Sequence, residues 1–261
     1  MKRIIISFLF PLFLVSCIET GELLGEVTVR GGSSSGGGAV VTVSESLVIS
    51  LDDDLDDLET SSSPNPYDYM SDGEGYLHAP AEPDTLFCGY WETIQDDFTY
   101  CVFRFELPKD IPGNATITSA SFSVRGKGHV TAGTGNWVQG TDYLEIFANN
   151  TDNSSTLLNY SDVEAVSGSR TSAIRWPSSG GLNWLDGQMT SPSLVSIINE
   201  LKTNHNGLLS GSGITLWVAS HQDYKIKAGL DDKEIKIADY GHAEFNTTLT
   251  IEYHYEKVIS P

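Results

Sequence analysis

Three tryptophans in loop-like stretches are the side chains of this sequence best suited to hold a ligand. Trp137 lies in a glycine-rich run, Trp176 precedes a proline, and Trp184 stands two residues before Asp186. Indole rings stack on the C–H faces of sugar rings, and a nearby carboxylate accepts hydrogen bonds from sugar hydroxyls. These four residues are therefore a candidate carbohydrate site. The alternative is that each tryptophan anchors its own loop by packing into the core.

Residues with the spacing of a catalytic centre are missing. The sequence has no His-Glu-x-x-His, no phosphate-binding Gly-x-x-x-x-Gly-Lys and no dinucleotide fingerprint, and its six histidines are scattered without the spacing of metal ligands. Carboxylates are abundant, but a glycosidase pair needs a cleft that a compact sandwich with short loops does not usually build. We therefore expect a non-catalytic protein without a cofactor, and keep a polysaccharide-active enzyme as the third alternative.

The acidic run after residue 51 is a weak candidate for calcium. Asp52, Asp54 and Asp56 have the spacing of the first ligands of an EF-hand loop, but Asp57 replaces its glycine and Ser63 its bidentate glutamate. A solvated acidic linker is the favoured interpretation.

The overall charge argues against a nucleic-acid partner. There are 35 acidic and 15 basic residues, a formal charge of −20, whereas binding to phosphates needs a basic surface. Between Ile18 and Phe103 the chain has 18 acidic residues and a single base, Arg30. Most of the excess negative charge therefore belongs to the N-terminal third.

The beginning of the chain has the pattern of an export signal. Residues 1–3 are basic at two positions, and residues 4–15 form an uncharged run too short to span a bilayer. The end of this run and the next two residues, Leu14-Val15-Ser16-Cys17, resemble the bacterial lipobox, in which cleavage occurs before the cysteine and the thiol receives a diacylglyceryl group. The resemblance implies a signal peptide over residues 1–16 and attachment to a membrane through lipid on Cys17. Ile18 favours an outer-membrane or cell-surface location.

Two further cysteines remain in what would be an oxidising compartment. Cys88 and Cys101 lie in two neighbouring strand-like runs, and an even number of thiols there predicts a disulfide. A bridge closing this short loop would contribute about 3 kcal/mol. The alternative is a pair of buried thiols that never join.

The mature chain divides into a tether and a domain. Residues 17–66 are acidic and rich in glycine and serine, which is typical of a flexible spacer. Within them, residues 39–51 alternate apolar and polar types and predict a strand, either part of the sandwich or part of a stalk. Residues 67–257 are mostly short alternating runs separated by Gly, Asn, Asp and Ser. This pattern predicts an all-β, two-sheet, jelly-roll-like β-sandwich.

One helix interrupts the alternation, over about residues 192–203. Its apolar residues recur with helical spacing from Leu194 to Leu201, Ser191 is the expected N-cap, and Pro192 the first helical residue. Asn206-Gly207 is expected to end it.

The order of motifs resembles one family. The segments Cys101 to Pro108 (CVFRFELP) and Ile111 to Phe122 (IPGNATITSASF) are similar to the opening of DNRLRE domains, jelly-roll sandwiches related to disaggregatase-type carbohydrate-binding modules. Ser191 to Leu209 and Phe245 to Tyr253 are similar to the family's helix and closing strand. The resemblance covers about residues 67–255 and implies the same fold, with polysaccharide binding or an adhesive role. Asn246-Thr247 replaces the usual Arg-Pro, which weakens inheritance of the ligand.

These observations lead to a functional hypothesis. We expect a lipid-anchored surface β-sandwich that binds or adheres without turnover, with carbohydrate as the leading ligand class. The alternative is a structural or protein–protein interaction module of an envelope or phage-derived assembly, whose partner is another protein.

Overall fold

The computed structural model describes residues 24–30, 39–51, 56–61, 70–71, 84–91, 97–129, 137–155, 169–220, 233–240, 242–244 and 246–259. Over these ranges the chain forms fifteen strands, all paired antiparallel, and one helix, α1. The strands are β1 Leu24–Arg30, β2 Ala39–Ser50, β3 Asp57–Ser61, β4 Met70–Ser71, β5 Thr85–Trp91, β6 Asp97–Glu106, β7 Ile111–Pro112, β8 Thr116–His129, β9 Leu144–Ala148, β10 Ile174–Trp176, β11 Asp186–Thr190, β12 Gly207–Leu208, β13 Gly213–Ser220, β14 Lys233–Ala238 and β15 Thr248–Ile259. The prediction of an all-β sandwich is confirmed.

The main sheet folds over on itself. Its strands follow the order β1-β2-β15-β8-β14-β5-β6-β13-β9-β10, so β8 and β6 are three steps apart. In a flat sheet three steps separate strands by about 14 Å. The rings of Phe103 on β6 and Phe122 on β8 are only 5.0 Å apart between centroids. The two halves of the order therefore face each other as layers, with the core between them.

Alternation along each strand supplies the two inner faces. Cys101, Phe103 and Phe105 of β6 are fully buried in the core, and Phe122 and Val124 of β8 face them. Successive side chains of a strand point to opposite faces, which is why every second residue of these runs is apolar. The sequence pattern thus fixes which face of each strand is covered.

The strand predicted within the tether belongs to the sandwich. β2 pairs with β15 over twelve consecutive residues, from Ala39 opposite Ile259 to Ser50 opposite Thr248. Leu47 and Ile49 of β2 lie in the core. The sheet therefore includes residues well before position 67.

Helix α1 spans Val195–Asn204, three residues later at its start than predicted. Its N-cap position is Leu194, and no side chain caps it, so the prediction of Ser191 as N-cap is wrong. The Ser191 hydroxyl instead accepts a hydrogen bond from the backbone N–H of Phe122 on β8, at 2.9 Å. No helix in the described ranges has the length and apolar character needed to cross a membrane.

The predicted disulfide is wrong, because Cys88 and Cys101 are both buried thiols. β5 pairs with β6 so that Gly89 lies opposite Thr99, a register that puts Cys101 level with Phe87 rather than with Cys88. The Cys101 thiol contacts the Phe87 carbonyl at 3.3 Å, and the Cys88 thiol contacts the Val218 carbonyl at 3.1 Å. The two cysteines are offset by one residue, so they are not the directly opposed pair that a cross-strand bridge joins.

Candidate functional site

The three candidate tryptophans are core residues. Trp137, Trp176 and Trp184 expose only 3%, 2% and 0% of their surface. The Trp184 indole N–H donates to the Lys236 carbonyl at 3.0 Å, and its ring meets Trp176 edge-on at 5.3 Å. The Trp137 indole donates to the Leu182 carbonyl at 3.4 Å. Rings enclosed in this way offer no face to a sugar, so their role is to anchor loops.

Asp186 is exposed and separate from those rings. Its carboxylate, at the start of β11, lies 2.9 Å from the Arg125 guanidinium on β8, which also contacts Glu244 at 2.6 Å. The side chains of Asp186 and Glu244 are 74% and 63% exposed. Exposed ion pairs contribute little to stability because water screens them. The four predicted site residues therefore do not form one site.

Only part of the acidic run lies within the described residues. Asp56 is buried, and its carboxylate pairs with Arg104 at 3.1 Å, so its charge is balanced by a guanidinium. Asp52 and Asp54 fall outside the described ranges, as does Cys17. Within those ranges, no three residues of the His, Cys, Asp and Glu types come together as metal ligands.

A different group of aromatic and charged residues lies on the sheet face directed away from the core. On β13, Ile214, Leu216 and Val218 belong to the core, so the intervening Trp217 lies on the opposite face. Its partner in register on β9 is Phe147, and the two rings are nearly parallel, at 6° and 6.0 Å between centroids. We call this face the outer strip; it comprises Tyr143, Glu145, Phe147, Arg170, Arg175 and Trp217.

The floor of the outer strip is buried and held by hydrogen bonds. Phe147 and Trp217 are 7% and 4% exposed. The Trp217 indole N–H donates to Asn149 Oδ1 at 2.5 Å, and the Asn149 amide donates to the Ser154 hydroxyl at 2.8 Å. The exposed Arg170 places its guanidinium 5.1 Å from the centre of the Phe147 ring. Fixed partners of this kind hold the floor in one geometry.

The rim of the outer strip carries the more accessible groups. Arg175 on β10 lies in register with Glu145 on β9, and its guanidinium sits 3.6 Å above the centre of the Tyr143 ring. These three residues are half-buried. Arg175 Nη2 donates to the Gly180 carbonyl, while Arg175 Nε is buried and meets no acceptor. A guanidinium, a carboxylate and an aromatic ring are thus brought together on two edge strands.

The sequence itself indicates the outer strip, because two of its aromatic residues are out of phase with the core residues of their strands. Leu144-Glu145-Ile146-Phe147-Ala148 alternates with Phe147 out of phase with the core residues, as Trp217 is on β13. An aromatic residue on the non-core parity of a central strand marks a face that is covered or that binds something.

No family model matches the chain, and no curated protein matches it.

Proposed function

We propose that this chain is a non-catalytic, lipid-anchored surface β-sandwich that binds carbohydrate through the outer strip. The observation that carries the proposal is the half-buried group of Arg175, Glu145 and Tyr143 on one face of the sheet. The buried rings of Phe147 and Trp217 lie on the same face and support this group without being open to a ligand. Guanidinium and carboxylate groups donate and accept hydrogen bonds with neighbouring sugar hydroxyls, and the half-buried Tyr143 ring is the aromatic surface that can contact an apolar face of the sugar. The binding would involve no bond cleavage.

Arg175 is the residue that favours a ligand here. A guanidinium has five N–H donors. In the structure Nη2 donates to the Gly180 carbonyl and Nε is buried, so a ligand would be bound through the terminal nitrogens. Tyr143 fixes the plane of the group by stacking, which lowers the entropy lost when a ligand binds.

The test is a polysaccharide panel screened with the lipidated chain in detergent, followed by calorimetry on any glycan that binds. We expect Arg175→Ala and Glu145→Gln to weaken binding at least tenfold. The matched control is Arg125→Ala, which removes a second half-buried strand arginine, on β8, whose guanidinium pairs with Asp186 and Glu244. Binding that survives in Arg175→Ala but disappears in Arg125→Ala would place the site at Asp186 instead.

Membrane attachment in this proposal depends on the lipobox-like Leu14-Val15-Ser16-Cys17. Acyl chains contribute about 0.8 kcal/mol per buried methylene, so two or three hold a domain on a bilayer. Mass spectrometry of the N-terminal peptide should find a diacylglyceryl group on Cys17, and Cys17→Ser should leave the membrane fraction. A chain that stays membrane-bound without this cysteine would contradict lipid anchoring.

A protein partner is the second candidate, favoured by one observation. β15 pairs with β8 only up to His254, and beyond it the ends of β2 and β15 carry Val40, Val258 and Ile259 at 40%, 64% and 49% exposure. Neighbouring apolar side chains on a projecting ribbon are typical of a contact with another protein. The absence of binding across the panel, together with a specific protein captured by the wild type and lost in Val258→Asp, would favour an interaction module.

A further inference from the structure

The first strand of the sheet has an edge that no other described strand covers. β1 pairs with β2 in seven consecutive positions, from Leu24 opposite Ser46 to Arg30 opposite Val40. Within the described residues it pairs with no other strand and begins the strand order. The outer edge of such a strand presents backbone N–H and C=O groups to any strand that can align with it.

Proline, lysine and a β-bulge, three of the devices that block the edge of a sheet, are absent from β1. Its sequence, LGEVTVR, has no proline and no lysine, and its register with β2 is unbroken by a bulge. Charged side chains are a further device, but the two charges of β1, Glu26 and Arg30, have opposite signs and can therefore complement each other across an interface. Among the described strands none pairs with this edge, so another strand can align with it.

We propose that a second copy of this chain adds to β1 through its own β1, antiparallel, about a two-fold axis at Thr28. In this register Thr28 lies opposite Thr28, Val27 opposite Val29, and Glu26 opposite Arg30. The two-fold axis creates the Glu26–Arg30 pair twice. Directly opposed residues of opposite charge stabilise antiparallel strands, and an isologous interface of this kind is the commonest way in which identical chains associate.

Charge selects this register over its neighbours. A two-fold axis perpendicular to the sheet allows the pairing of the two β1 strands to shift only in steps of two residues. A shift in one direction puts Thr28 opposite Glu26, and a shift in the other puts it opposite Arg30. In both cases Glu26 no longer lies opposite Arg30. Arg30 is the only base between Ile18 and Phe103, a stretch with 18 acidic residues. The single cation of that stretch thus occupies a position that complements Glu26 of a second copy.

Neither charge has a charged partner in register on β2. Glu26 lies opposite Ser44, and Arg30 lies opposite Val40.

Cysteine cross-linking of the full-length chain in bacterial membranes tests the register. Opposed residues in an antiparallel pair have Cα atoms about 4.5–5.5 Å apart, within the reach of a disulfide. Thr28→Cys should therefore give a covalent dimer on a non-reducing gel. Gly25→Cys is the matched control, because it keeps Glu26 and Arg30 and its two copies would be about 20 Å apart, six residues along the strand. We expect at least fivefold more dimer from Thr28→Cys.

A charge exchange tests the complementarity in the Thr28→Cys chain. Glu26→Arg and Arg30→Glu should each reduce the dimer several-fold, and the double variant should restore it, since the opposite charges again face each other. Restoration also shows that the single variants did not simply misfold. Equal cross-linking of positions 28 and 25, a cross-link only to another protein, no cross-linked dimer, or a folded double variant that stays monomeric would overturn the proposal.

Discussion

At the scale of single residues, Tyr253 couples ionisation to folding. Its hydroxyl is buried and donates to the Asp110 carbonyl at 2.9 Å, and Glu45 lies directly opposite it on β2. Burial raises the pKa of Tyr253 well above its usual value, and the negative charge of Glu45 raises the pKa further. The folded state therefore disfavours the tyrosinate, whereas the unfolded chain ionises at about pH 10.

The consequence is a loss of stability in alkali. A group whose pKa is raised by folding contributes its full stabilisation below the unfolded pKa and loses it as the pH rises beyond that value. We expect the free energy of unfolding, measured in urea from pH 8 to 11, to fall more steeply in the wild type than in Tyr253→Phe. At pH 8 the variant should be about 1 kcal/mol less stable, because the Asp110 carbonyl loses its donor. Parallel curves would contradict the assigned coupling.

The cysteines lead to a second prediction at this scale. Both thiols have 0% exposure, so a maleimide reagent should label neither Cys88 nor Cys101 in the folded chain. In denaturant without reductant, both should react. Peptide mapping identifies the sites and separates them from Cys17. Recovery of a peptide pair joined through Cys88 and Cys101 would contradict this prediction and show that the two cysteines form a disulfide.

At the scale of elements, Ser191 stabilises a strand edge rather than a helix end. Its hydroxyl accepts from Phe122 N–H, and its own backbone N–H donates to the Phe122 carbonyl at 2.8 Å. Ser191→Ala leaves the Phe122 N–H buried without a partner, which costs about 1–3 kcal/mol. The control is Ser193→Ala, since Ser193 is exposed and makes only a 3.4 Å contact with Val195 N–H. We expect faster hydrogen exchange at Phe122 in Ser191→Ala, with α1 unchanged; faster exchange confined to the start of α1 would support an N-cap.

The same residue shows what local pattern predicts and what it does not. Alternation identified β2 and the core faces of β6 and β8, because strand periodicity depends on near neighbours. Ser191 before Pro192 has the chemistry of an N-cap, yet its partner Phe122 lies 69 residues earlier. The choice between these partners depends on packing of α1 against β8, which no short window of sequence contains.

At the scale of the whole molecule, contacts with segments distant in the sequence determine whether the tryptophans are buried. Local sequence places Trp137, Trp176 and Trp184 in loops, where a ring is as able to bind a ligand as to fill the core. Trp184 is enclosed because Lys236 of β14 accepts from its indole and Gln139 Oε1 accepts from its backbone N–H at 2.6 Å. The grouping of the outer-strip residues is long-range in the same way, because β9 meets β10 and β13 only in the folded sheet, although the alternation within each strand is visible in the sequence.

The segment of Trp184 and Leu185 also explains why residue 126 of β8 is a glycine. A Cβ at Gly126 of β8 would lie 2.4 Å from the Leu185 carbonyl oxygen and 3.2 Å from the Trp184 indole nitrogen. Gly126 pairs with β14 on one edge and with β11 on the other. The indole therefore packs against β8 at the point where that strand lies between β14 and β11.

This position leads to a prediction that separates packing from ligand binding. Trp184→Ala should lower the free energy of unfolding by about 3–5 kcal/mol, because it opens a large cavity and leaves the Lys236 carbonyl without its donor. Trp184→Phe should cost less, since part of the ring contact with Trp176 remains. Leu185→Ala is the neighbouring control; its side chain is 59% exposed, so a change within about 0.5 kcal/mol is expected. A Trp184→Ala chain of normal stability that had lost glycan binding would return this residue to the binding site and move the site away from the outer strip.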